Sequence, residues 1–245
     1  GGGSTLYIGG IVHRSNSAMA VTNCTNYGDL SQSGAVSAEV CIGGVCVEVY
    51  DHTDMTNCHN HGALSATPKK SSDGVAQVVR IGGLIGKQTA KVCTLNINGS
   101  TDNYCTNTGA ITVEGEVSLI TISGIISAID STKSAGQTTN LNYVKNSGTI
   151  TVDVDTATGN SYVGGIVGLC DRYSSSTPNS CTVKTSNAIN SGNITIGSEA
   201  STTEYQAINL GGILGRPVTA ILTFSNIKNT AKMEFKGHAT GDLCL

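Results

Sequence analysis

The chain has no tryptophan, two phenylalanines and three prolines in 245 residues. Rings make up 4% of it and charged residues 13%. So few aromatics argue against a propeller, whose four-stranded blades lean on aromatic packing. Basic residues number 14 against 17 acidic ones, a net charge of −3, with no basic run. That excludes a nucleic-acid footprint and electrostatic attachment to anionic lipid. No apolar run approaches the roughly 18–20 residues of a membrane span. No window sustains an i, i+3, i+4, i+7 apolar pattern, so almost no helix is expected. Nucleophile elbows, phosphate-cradling loops and zinc-protease helices are missing, and nothing in the sequence calls for a cofactor. The chain opens on Gly1-Gly2-Gly3-Ser4 and enters a strand at once, with no signal-peptide pattern at this start, which leads to the expectation of an excised or processed fragment.

What is abundant is glycine, 31 residues, together with Ser, Thr and Asn. The glycines are not scattered. Six copies of one apolar segment carry a Gly-Gly pair, from Tyr7-Ile8-Gly9-Gly10-Ile11-Val12 to Asn209-Leu210-Gly211-Gly212-Ile213-Leu214, with Ser123-Gly124 in the fourth copy. The second glycines are Gly10, Gly44, Gly83, Gly124, Gly165 and Gly212, giving steps of 34, 39, 41, 41 and 47 residues. A period in that range denotes a stacked repeat architecture. The glycines themselves suit a bend or a close approach of backbones.

A second element recurs as faithfully. Asn26, Asn60, Asn107, Asn146, Asn190 and Asn229 each stand two residues before a glycine, except that Ala231 follows the last. Asn tolerates left-handed backbone and closes Asx-turns, and the glycine supplies positive φ. Stacked coil on coil, the six amides are placed to form a hydrogen-bonded ladder. A short strand follows each turn, with Leu30, Leu64, Ile111, Ile150 and Ile194 on one face and Ser or Thr on the other.

No copy can bury a face alone, but stacking buries a continuous core. The expected fold is therefore all-β: a right-handed parallel β-solenoid of about six coils with three short strands per coil, spanning 1–245 as one domain. Equivalent residues should then lie in columns. Ile8, Ile42, Ile81, Ile122, Val163 and Leu210 form one; Cys24, Cys58, Cys105, Val144, Ala188 and Ile227 form another. The pattern fades at Glu234-Phe235-Lys236, which reads as a worn coil, a cap or a cut site, and the uncapped first strand calls for cover.

Gly83-Leu84-Ile85-Gly86, Gly165-Ile166-Val167-Gly168 and Gly212-Ile213-Leu214-Gly215, each followed by an Asn-x-Gly-type turn, resemble the GLUG motif of bacterial surface proteins. The resemblance spans almost the whole chain. The trailing glycine is replaced by His13, Val47 and Ser127 in the other copies. The resemblance implies an exported, cell-surface or extracellular, non-enzymatic adhesin or stalk of Bacteroidetes type, part of a longer protein, with host or matrix proteins or glycans as partners. It carries no catalytic residue. The alternative is a carbohydrate-active β-helix, a polysaccharide lyase or glycan-binding module.

Candidate chemistry is thin. His52, Asp54, His59 and His61 are zinc-ligand types clustered in sequence, though their spacing matches no closed site and turn residues facing solvent are the simpler reading. Tyr104 and Tyr143 hold one place in adjacent copies and suit a sugar platform. Glu114 and Asp153 should stack after the third strand, with Asp155 on the same face, a spacing of interest for glycosidase or calcium chemistry but equally that of two solvated acids. The Ser/Thr row beside them lacks the second column an ice-binding grid needs. Nine cysteines leave two readings open. Cys46/Cys58, Cys93/Cys105 and Cys170/Cys181 bracket loops of about a dozen residues as disulfides would, or Cys24, Cys58 and Cys105 line the core as thiols. Segments 13–22, 87–102 and 169–186 read as the longest display loops.

Overall fold

A computed structural model describes residues 5–36, 38–69, 77–89, 93–130, 137–171, 181–199, 203–218 and 220–244. They form three parallel sheets, of twelve, six and nine strands, in which equivalent strands of successive coils pair side by side. The chain is a parallel β-solenoid.

The Gly-Gly segment is not one strand. Thr5–Gly9, Glu39–Gly43 and Gln77–Gly82 end on the first glycine and lie in the first sheet. The second glycine and the next residue form a bend. Val12–Ser15, Cys46–Val49 and Ile85–Thr89 then run in the second sheet. The third sheet follows, with Met19–Thr22, Thr94–Asn98 and Cys181–Asn190 among its strands. After the Asn turn the chain re-enters the first sheet through strands such as Leu30–Ala35 and Leu64–Lys69. In two coils this re-entry strand runs on into the following Gly-Gly strand without a break, as Ile111–Ser123 and Ile150–Gly164.

Much of what reads as display loop is thus third-sheet strand. Its alternation of Leu95, Ile97, Leu141 and Val183 with polar neighbours is the ordinary pattern of a half-buried strand. Residues 90–92 and 172–180 lie outside the described residues.

Two apolar cores result. One fills the space between the second and third sheets, with Cys46, Ile85 and Ile126 against Met55, Ile97 and Leu141. The other lies between the Gly-Gly strands and the re-entry strands, with Ile42, Ile81 and Ile122 against Leu64, Ile111 and Ile150. In cross-section the two strands flanking the Gly-Gly bend form an arch. It is wedged between the third sheet on one side and the re-entry strands on the other. The columns follow the repeat: Ile8–Ile42–Ile81–Ile122–Val163–Leu210 pair in order, as do Cys105–Val144–Ala188–Ile227. Each fully buried aliphatic side chain contributes about 1.5–3 kcal/mol. The column of Leu30, Leu64, Ile111, Ile150 and Ile194 continues to Met233. The segment Met233–Phe235 therefore prolongs the sheet rather than breaking it. His238–Ala239 and Leu243–Cys244 then pair with the last Gly-Gly strand.

Candidate functional site

The repeated residues meet at one place. The tip of the Gly-Gly arch reaches the Asn turn, where the third sheet gives way to the re-entry strand. The six asparagines form an unbroken ladder: Asn26 Nδ2 donates to Asn60 Oδ1 at 2.8 Å, and the series runs through Asn107, Asn146 and Asn190 to Asn229 at 2.8–2.9 Å. Each amide of the first four also donates to the carbonyl of the glycine two residues on. Asn26 Oδ1 accepts from the Gly28 amide, closing the expected Asx-turn. Asn60, Asn107, Asn146 and Asn190 are fully buried, so each unmade bond there would carry a desolvation penalty of about 1–3 kcal/mol.

The second glycines make room for this ladder. A methyl group at Gly44 would lie 2.5 Å from Asn60 Cγ, and one at Gly10 would lie 2.7 Å from Asn26 Cγ. The same contact repeats at Gly83 with Asn107, Gly124 with Asn146, Gly165 with Asn190 and Gly212 with Asn229. The turn glycines have a similar role. Gly62, Gly109, Gly148 and Gly192 abut the glycine carbonyl of the preceding coil, and none has positive φ. The left-handed residue is instead three places before the ladder asparagine: Asn23, Asn57, Tyr143, Asn187 and Asn226, with φ of 50–54°. The ladder asparagines and turn glycines, expected from sequence to be left-handed, are not.

The outer residues do not converge. His52 Nε2 faces Asp54 Oδ2 at 3.2 Å, and Asn96 Nδ2 donates to the other oxygen at 2.7 Å. The Asn96 bond, seconded by His52, holds the Asp54 carboxyl below its usual range. His59 and His61 lie parallel at 6.1 Å, each with its Nδ1 on a threonine hydroxyl of the next coil, Thr106 and Thr108. Burial, and secondarily His61, holds the His59 pKa down. No group of three His, Cys, Asp or Glu among the described residues is placed to hold a metal ion. Tyr104 and Tyr143 do meet, edge to face at 5.5 Å. Glu114 pairs with Asp153 in register, and Asp155 lines an open groove of about 560 Å³ with Glu204, Thr158 and Gln206.

One cluster escaped the sequence reading. In the mouth of the arch, between the first and second sheets, Glu48 is paired with Arg14 and receives the Thr89 hydroxyl. Lys87 Nζ lies 3.0 Å from Glu39 and 3.8 Å from Glu48, while Arg80 Nε donates to Glu39 at 2.7 Å. Lys87 also sits over the Tyr7 ring at 4.9 Å. Glu48 and Lys87 are 2% and 8% exposed, so these are charges satisfied by one another rather than offered to solvent. Burial pulls the Lys87 pKa down, but Glu39 and its other neighbours outweigh this and the net shift is upward. Burial raises the Asp130 carboxyl, against the pull of Arg80.

Of the three bracketing cysteine pairs, Cys170 and Cys181 form a disulfide. Cys46, Cys58 and Cys105 are buried thiols instead, with burial pushing Cys46 up to about 12 and Cys58 up to about 11. Such thiols behave as small hydrophobes.

Comparison with protein-family models, curated proteins and solved structures finds no match to this chain.

Proposed function

We propose that the chain is a non-enzymatic scaffold of an exported surface protein, an adhesin or stalk, whose GLUG-like repeats supply a rigid rod. The observation that supports this most is the Asn ladder. Every residue that repeats without fail is spent on cohesion between coils: the amides bond to one another, and the second glycines are small to admit them. Outward positions such as His59, Thr106 and Lys145 differ from copy to copy along one column of the third sheet. Rigid repeats with variable surfaces are how solenoids present binding sites. The Cys170–Cys181 disulfide agrees with an oxidising compartment. No helix among the described residues is long and apolar enough to cross a membrane.

A carbohydrate-active β-helix is the second reading. The acid–base cluster of Glu39, Glu48, Arg80 and Lys87 favours it, but each carboxylate there already holds a cation. Incubation with a panel of acidic and neutral polysaccharides separates the two. A scaffold generates no new reducing or unsaturated ends; their appearance would establish the enzyme. A glycan and matrix-protein array then reads out what the rod binds.

A further inference from the structure

We infer that the outer face of the third sheet, over its last three coils, binds an anionic polysaccharide. The inference rests on the scaffold reading and names the ligand of one face. Three adjacent strands form that face: Thr138–Asn146, Cys181–Asn190 and Ala220–Asn229. Their inward residues are Leu141, Val144, Val183 and Ala188, which are buried, and Ile227, which packs against the same core. Alternation therefore turns Lys145, Lys184 and Lys228 outward. No Asp or Glu stands on any of the three strands. Lys145 is in register with Ile189 and that with Lys228, so these two lysines are two strand spacings, about 10 Å, apart. Lys184 lies farther up the middle strand, in register with Asn140 and Thr223.

The charge is local. On the same sheet, the earlier strand Thr53–Thr56 carries Asp54 and no lysine. The re-entry strands on the far side carry Glu114, Asp153 and Glu234. An anionic chain would thus be attracted to one face only.

The groups between the lysines favour a sugar polymer over a phosphate backbone. Ser186 Oγ and Asn187 Nδ2 both donate to Asn142 Oδ1, at 2.9 and 3.0 Å, and Asn226 Nδ2 donates to Asn187 Oδ1 at 3.1 Å. These side chains are held in fixed orientations by neighbouring coils, an ordered row of hydroxyls and amides of the kind that suits a hydroxyl-rich chain. Tyr143, braced by Tyr104, flanks them, and a tyrosine ring is a surface on which the apolar C–H faces of sugars pack. Three lysines on a protein of net charge −3 fall short of the dense basic stripe nucleic acid requires.

Affinity electrophoresis in native gels containing polygalacturonate, dextran sulfate, neutral dextran or double-stranded DNA tests the inference. The protein should be retarded by the two acidic polysaccharides and not by dextran. Retardation should weaken as salt rises from roughly 0.05 to 0.5 M. The triple variant Lys145→Gln/Lys184→Gln/Lys228→Gln should bind about tenfold more weakly or worse, with an unchanged circular dichroism spectrum. A control variant on another face, Lys232→Gln/Lys236→Gln, should bind as the parent does. No retardation by either acidic polysaccharide, equal loss in the control, or tighter binding to DNA would each overturn the inference and leave the scaffold reading standing. New chain ends released from either polymer would remove the scaffold reading instead.

Discussion

Gly44 and Asn60 share one packing space: the hydrogen on the glycine is all that separates its Cα from the amide of the asparagine in the same coil. Gly44→Ala forces a methyl group into that space and against the Gly83 carbonyl. A loss of about 3 kcal/mol or more is expected, the upper range for overpacking a filled site. Asn60→Ala breaks bonds with both Asn26 and Asn107 in a buried site, for a loss of about 2–4 kcal/mol. Asn229→Ala, at the exposed end of the ladder, breaks a single ladder bond, that with Asn190, and should lose about 1 kcal/mol. Urea unfolding of the three variants checks the order. Equal losses at Asn60 and Asn229 would show that the ladder is not what holds the coils.

Lys87 bridges two carboxylates in the mouth of the arch. Lys87→Met leaves Glu48 with Arg14 and Glu39 with Arg80, but packs the two acids closer to uncompensated. A loss of about 3 kcal/mol is expected. The sign with pH follows from its raised folded pKa. The stabilisation is complete below the unfolded-state lysine pKa and fades as pH rises through the folded value, so wild type and variant should converge only in strong alkali. Thermal melts at neutral and high pH measure this.

Asp130→Asn tests a carboxylate shifted in the same direction, whose effect falls at far lower pH. Burial raises that carboxyl, so the charged form is disfavoured in the folded chain. The aspartate's contribution is intact below the unfolded carboxylate pKa and is lost as pH rises through the folded one. The asparagine variant should therefore melt slightly higher than wild type at neutral pH and no higher in acid. A lower melting point at pH 7 would contradict the burial argument.

Acid should also weaken the outer face of the third sheet. Asp54 has a lowered pKa, so its stabilisation is present above the unfolded value and is lost as pH falls through the folded one. His59 is lowered too; protonation then favours the unfolded chain as pH falls below the unfolded imidazole value. His59→Gln should flatten the stability profile between roughly pH 5 and 7 while leaving the carboxylate limb in place.

Cysteine labelling separates the two thiol classes. Cys244 is exposed and should alkylate first in the folded protein, with Cys41, Cys46, Cys58 and Cys105 protected by burial. In denaturant, two more cysteines should react after reduction than before, Cys170 and Cys181. An equal count would remove the disulfide.

The columns of the core and the Asn ladder were legible in the sequence because a repeat stacked in register turns sequence position directly into spatial adjacency. Ile42 and Ile81 needed only the period to be aligned. The arch was not legible, since apolar residues flank the Gly-Gly pair on both sides and nothing in Ile42-Gly43-Gly44-Val45 separates a strand from a bend. The turn glycines were assigned to positive φ when contact with the preceding coil explains them; a single copy contains no hint of what lies across the strand spacing. The ionic cluster was hidden for a different reason. Arg14, Glu48 and Lys87 occupy one position in successive coils, but they alternate in charge, so the feature that binds them together is also what erases the repeat signal.

Because each coil is joined to the next by bonds lying along the rod, a force stretching the molecule end to end would not shear its sheets but peel them. One winding set free would pay out some 40 residues, roughly 140 Å of thread at about 3.5 Å per residue, before the next began to yield. Under tension the rod is a spool, and it lengthens one turn at a time.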